Sequence, residues 1–151
     1  MPMRITELSH VNVTVPTSLE GAAKHFYGTI MGLQEVPKPV ESKGRGGAWY
    51  QLGAVQLHLS REDAAIQNED SKRHVCYSVQ SIVEAEQHFR DAGVEIIPDS
   101  LPVPGSPRFY VRDPGANLIE IAHDLKSGHG AGETRRTDTE TRGRGDAGMS
   151  C

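Results

Sequence analysis

Three histidines and a glutamate carry the chemical interest of this chain: His10, His58, His74 and Glu120. His10 and His74 open two similar segments, Leu8-Ser9-His10-Val11-Asn12-Val13-Thr14-Val15 and Lys72-Arg73-His74-Val75-Cys76-Tyr77-Ser78-Val79. His58 and Glu120 lie inside two more, Val55-Gln56-Leu57-His58-Leu59 and Leu118-Ile119-Glu120-Ile121, at nearly the same offset. Three imidazoles and one carboxylate form a borderline-hard donor set. It suits divalent Fe, Mn, Ni, Co or Zn better than a thiolate-seeking ion. Structural zinc sites gather their ligands in short loops; four donors on four strands describe an open catalytic site instead. An octahedral ion with four protein donors keeps two positions for adjacent oxygens of a substrate, and polarises its carbonyl. Glu120 is the sharpest signal. A carboxylate between Ile119 and Ile121 on a buried strand is costly unless a cation accompanies it.

The elements that must position these residues come as a repeat. Residues 8–15 alternate as a strand, with His10, Asn12 and Thr14 on a polar inner face and the β-branched residues turned outward. Thr17-Ser18-Leu19-Glu20 has the pattern of a capping box, Leu19, Ala22, Ala23, Phe26 and Ile30 recur at helical spacing, and Gly32 sits at the stop. Strands are expected near 33–36, 48–52 and 55–60, around a polar loop at 37–47 able to act as a lid. Residues 61–72 read as a linker. The order then recurs: a strand at 74–79, a helix at 82–92 with Ser81 and Glu84 as its capping box, and strands at 94–97, 108–112 and 118–123. The last two are joined by the turn Asp113-Pro114-Gly115-Ala116-Asn117. The fold class expected is α+β: two tandem βαβββ modules, about 5–60 and 72–124, forming a cup-shaped mixed sheet. His58 and Glu120 are the candidate catalytic residues. Asn12, Arg45, Trp49, Arg108 and Tyr110 are candidate substrate contacts. His25 and His88 precede Phe26 and Phe89 on the helices and should face solvent. Cys76 reads as a small buried apolar side chain, and His123 and His129 as surface residues.

The bulk numbers bound the alternatives. One domain is expected over residues 1–125 of the 151, with a hydrophobic share of 36% sufficient for a core. A net charge of -4 disfavours a general nucleic-acid role. No apolar run suggests a membrane span or a signal peptide, and the two cysteines form no disulfide framework. A cytoplasmic location follows as the expectation. Residues 126–151 are glycine-rich and polar, without an aromatic residue, and read as a disordered tail.

The His10 strand, Phe26-Tyr27 leading to Met31-Gly32-Leu33, the His74 strand and Arg112-Asp113-Pro114-Gly115-Ala116-Asn117-Leu118-Ile119-Glu120 together resemble the vicinal oxygen chelate superfamily. That superfamily includes glyoxalase I, fosfomycin thiol transferases, extradiol dioxygenases and bleomycin-resistance proteins. The last run resembles an Asp-Pro-x-Gly-Asn-x-x-Glu signature with its glycine one place early. The resemblance implies a divalent metal on His10, His74 and Glu120, a small-molecule substrate and a homodimer. His58 falls where glyoxalase I has a second carboxylate. The loop Pro98-Asp99-Ser100-Leu101-Pro102 lacks the lysine of the fosfomycin enzymes. A glyoxalase-like lyase or isomerase is the first reading. An extradiol-type dioxygenase and a non-enzymatic drug-binding protein are the alternatives.

Overall fold

The computed structural model describes residues 2–64 and 66–124; the expected tail and His129 lie outside the described residues. Module one contains β1 (His10–Val15), α1 (Glu20–His25), β2 (Gln34–Val36), β3 (Ala48–Leu52) and β4 (Val55–Arg61). Module two contains β5 (His74–Val79), α2 (Ile82–Asp91), β6 (Ile97–Pro98), β7 (Arg108–Arg112) and β8 (Leu118–His123). Each module forms its own four-stranded mixed sheet, in the orders β1-β4-β3-β2 and β5-β8-β7-β6. The first strand of each runs parallel to the last, and the other pairs are antiparallel. Among the described residues no ladder joins the two sheets.

Alternation decides which face is buried. Val11, Val13 and Val15 of β1, Tyr50 of β3 and Leu57 and Leu59 of β4 turn toward the core. Val75, Tyr77, Phe109, Val111, Ile119 and Ile121 do the same in module two. The polar alternates His10, Asn12, His74 and Cys76 are exposed. The two faces divide as expected: the polar one is the uncovered face, and the valines turn away from it to the helix-covered core, because burying their apolar surface is favourable and burying the imidazoles is not. Cys76 is likewise an exposed residue of the polar face, not a buried one.

The modules share one core. The Phe26 and Phe89 rings lie 6.3 Å apart, and Phe89 meets Phe109 edge-on at 6.0 Å. The helix expected through residue 30 changes pitch after α1, continuing as a π turn over Phe26–Ile30. That turn lets two consecutive residues, Phe26 and Tyr27, both be buried. Phe26 meets the aromatic cluster, while the Tyr27 hydroxyl donates to Asp113 Oδ2 of module two at 2.6 Å. The second capping box forms, since Ser81 accepts from the Glu84 amide. The first does not. The Thr17 hydroxyl donates to Asp63, and Glu20 instead accepts from the Gly47 amide. Residues 94–96, expected as strand, lie before the short β6, and the loop at 37–47 contains a 3-10 helix at Val40–Arg45. His88, exposed as expected, also reaches across the module boundary to the Ile30 carbonyl at 2.6 Å.

Candidate functional site

The polar face of module one is assembled by strand register. Asn12 pairs with His58 across β1 and β4, and Trp49 pairs with His58 across β3 and β4. All three side chains therefore share a face. His58 is wedged in a stack of rings, 4.0 Å from Trp49 at an interplanar angle of 2° and 4.1 Å from His10 at 16°. It is 9% exposed. Burial, then the proximity of His10 and Lys38, pushes the basicity of His58 below that of a free imidazole, favouring the neutral ring. Its Nε2 lies 2.8 Å from Gln56 Oε1. Asn12 is occupied, accepting from the Ser60 hydroxyl at 2.7 Å. Arg45 is exposed at the end of the 3-10 helix, and its carbonyl accepts from Arg61.

Module two builds a charged face on the same plan. Cys76, Glu120 and Tyr110 are register partners across β5, β8 and β7. Glu120 Oε2 is 2.9 Å from His74 Nε2, and Oε1 is 3.4 Å from Arg108. The Arg108 guanidinium also donates to Asp99 at 2.7 Å, a contact that holds the Asp99 carboxyl below its usual range. The Tyr110 ring meets His74 edge-on at 5.9 Å. Partial burial, then the Glu120 charge, pushes the Cys76 thiol up, so this is not an activated thiolate.

The candidate donors thus fall into two pairs, His10 with His58 and His74 with Glu120. Among the described residues no three His, Cys, Asp or Glu side chains are grouped to hold a metal ion. An open groove of about 510 Å³ runs between β1 and β5, lined by Asn12, Thr14, Arg73, His74 and Asn117 among others. Of the candidate substrate contacts, Trp49, Asn12 and Tyr110 border the paired donors. Arg108 is engaged by two carboxylates, and no contact ties Arg45 to the donors. Sequence reasoning misses Asp99, Gln51 and Gln56 as site residues. For Gln56 the signal is present: it precedes His58 by two on a strand, which puts it on the same face.

The pair in module two fits a cation. His74 Nδ1 lies 2.8 Å from the Lys72 carbonyl, which only accepts, so Nδ1 carries a proton. A neutral His74 then turns the lone pair of Nε2 toward an oxygen of Glu120. Two acceptors at 2.9 Å need a positive centre to serve both, either a proton or a metal ion. Imidazole and carboxylate donors of this kind match first-row divalent ions.

Comparison with known proteins agrees with this fold. The model of the Glyoxalase/Bleomycin resistance protein/Dioxygenase superfamily matches residues 8–121. A glyoxalase family protein from Bacillus anthracis is similar in structure, at TM-score 0.73 and 35% identity over 82% of this chain and 99% of that one. Lactoylglutathione lyase from Agrobacterium tumefaciens shares the fold at TM-score 0.63 and 18% identity, covering 83% of this chain and 98% of the lyase. The fosfomycin resistance protein FosX from Listeria monocytogenes shares it at TM-score 0.68 and 17% identity, covering 85% and 100% respectively. A point mutant of FosX was solved in complex with Mn(II) and 1S,2S-dihydroxypropylphosphonic acid. No match was found among curated protein sequences.

Proposed function

The chain belongs to the glyoxalase/bleomycin resistance protein/dioxygenase superfamily, and from that premise we propose that it is a metal-dependent enzyme of the lyase or isomerase type. Its substrate is a small molecule with two adjacent oxygens. The observation that carries this reading is the close approach of His74 Nε2 and Glu120 Oε2, at 2.9 Å, an imidazole and a carboxylate placed to share one cation. A divalent ion held by His10, His58, His74 and Glu120 would supply Lewis-acid stabilisation of charge developing next to the substrate carbonyl.

The remaining work falls to the side chains. Glu120 and His58 are the candidate bases. Glu120 has Arg108 against its second oxygen, a partner that steadies the carboxylate while a proton comes and goes. His58, neutral between Trp49 and His10, is ready to accept a proton. Trp49, Tyr110 and Asn12 border the reacting groups, and Arg45 and Arg108 offer cationic contacts at the rim.

The donor set is complete when module one of one copy faces module two of a second, which makes the active unit a homodimer. The division into two pairs, on exposed polar faces of separate sheets, supports this. A dioxygenase reading gains from one observation: His58 Nε2 already has a partner in Gln56, leaving His10, His74 and Glu120 as a three-residue set.

Metal analysis of protein purified without chelators, with oxygen uptake on catechols, separates the readings. Bound Ni, Co or Zn without oxygen uptake is expected. Iron with uptake would promote the dioxygenase, and a metal-free protein that binds no divalent ion would end both. Mixing His10→Ala and Glu120→Ala copies tests the dimer. Exchange should restore tight, four-donor metal binding to about a quarter of the sites, since half of the dimers become mixed and each mixed dimer regains one of its two complete sites. No recovery in exchanged dimers would refute a shared site.

A further inference from the structure

His58 ends a directed chain of hydrogen bonds. The Gly53 carbonyl accepts from Gln51 Nε2 at 2.7 Å. Gln51 Oε1 accepts from Gln56 Nε2 at 2.9 Å, and Gln56 Oε1 lies 2.8 Å from His58 Nε2. A backbone carbonyl can only accept, so polarity is set from the Gly53 end. Gln51 must turn its amide nitrogen to Gly53, which leaves its oxygen for Gln56. Gln56 must spend its nitrogen on Gln51, which leaves its oxygen for His58. Reversing either carboxamide would set two acceptors or two donors against each other. His58 Nε2 therefore has to be a donor. The rings of Trp49 and His10 cover the two faces of the imidazole. A ring nitrogen's lone pair lies in the ring plane, so the stack leaves the Nδ1 edge unblocked.

We infer that Gln51 and Gln56 are positioning residues that lock neutral His58 in its Nε2–H tautomer and leave Nδ1 as its one basic atom. His74 is set the opposite way: the Lys72 carbonyl claims its Nδ1 and Nε2 is turned to Glu120. The two modules thus present different imidazole nitrogens, each selected by a neighbouring acceptor. The tautomer stands on the relay alone. The role of Nδ1, as the atom that takes a metal or a proton, rests on the functional reading above. It also answers the point in favour of the dioxygenase, because the Gln56 contact uses the nitrogen that ligation does not need.

Nitrogen-15 NMR of metal-free, histidine-labelled protein at mildly alkaline pH tests the relay, with the His58 signal assigned by its loss in His58→Asn. The wild type should show one Nε2–H tautomer whose proton exchanges slowly with water. Gln56→Leu, checked for folding by circular dichroism, should give the mixed signal of an unconstrained imidazole. Gln56→Glu loses the donor to Gln51 but keeps an oxygen facing Nε2–H, and should restore the single tautomer. An Nδ1–H wild type, or a Gln56→Leu protein that matches the wild type, would overturn the inference. Cobalt(II) titration adds the link to function: affinity should fall roughly 10-fold in Gln56→Leu and recover in Gln56→Glu. The expected tautomer with no Co(II) binding in any protein would sink the functional reading and spare the relay. Tight Co(II) binding by a wild type in the Nδ1–H form would do the reverse.

Discussion

The two half-sites share a backbone plan and differ in how they handle charge. In module one the candidate donors are two rings stacked 4.1 Å apart, His58 served by the Gln56 carboxamide and His10 by the Ser9 hydroxyl, with no acidic side chain on β1, β3 or β4. In module two Glu120 is held between His74 and Arg108, and Arg108 is shared with Asp99. A duplicated frame has therefore diverged into a neutral half and an ionic half. The ionic half should decide whether a cation binds, because a buried carboxylate gains most from one. The neutral half should adjust how tightly it binds and where a proton goes.

The largest effect expected follows from that division. Glu120→Gln should weaken Mn(II) or Co(II) binding by more than the roughly 10–100-fold lost when an outer partner of a ligand is removed. His58→Gln should cost clearly less, within that range. Isothermal titration of both variants checks the ranking. If His58→Gln proved as damaging as Glu120→Gln, the halves would be equal partners and the contrast would fail.

The next effect concerns what holds the halves in one frame. Asp113 is 5% exposed and accepts from four donors: the Tyr27 hydroxyl, the Gly115 and Asn117 amides and the Asn117 side chain. Asn117 in turn donates to the Thr14 carbonyl of β1. Burial and the Asp113 charge push the Tyr27 phenol well up, so it stays a donor. An amide has one acceptor oxygen and would set its NH2 against donors. Asp113→Asn should therefore cost about 3 kcal/mol or more, read by urea unfolding. Tyr27→Phe should cost about 1–3 kcal/mol. Negligible losses in both would mean that the aromatic core alone fixes the module boundary.

The strands were legible because apolar residues recur at every second position. β5, β7 and β8 fall at the expected bounds, since Val75 and Tyr77, Phe109 and Val111, and Ile119 and Ile121 each mark one face that packs on the core. The pairing of polar residues on one face followed from the same period. What could not be read was which distant partner each polar side chain takes. The first capping box failed for a related reason. Thr17 and Glu20 have the right types, but Asp63 and Gly47 compete for them from far along the chain. The relay of Gln51 and Gln56 crosses between strands, so it needed the register as well as the period.

The turns before the closing strands give the smallest and most local contrast. Module one joins β3 to β4 with Gly53 at φ 58°, glycine occupying the left-handed position. In the corresponding turn of module two, Ala116 takes that conformation at φ 64° while glycine stands one place earlier. The shift has a steric cause. A Cβ on Gly115 would lie 2.7 Å from Val15 Cγ1 and 3.4 Å from the Thr14 carbonyl oxygen. Val15 is 1% exposed and has no room to retreat. The glycine is thus used for close approach of module two to β1, and Ala116 bears the backbone strain. Ala116→Gly should relieve that strain and stabilise the protein by up to about 1 kcal/mol, offset in part by the entropy of the freer unfolded chain. Gly115→Ala should destabilise it by about 1–3 kcal/mol, the usual range for overpacking. Thermal unfolding of the two variants should move in opposite directions. A stabilising Gly115→Ala would show that the turn does not press on Val15, and would leave the displaced glycine without a cause.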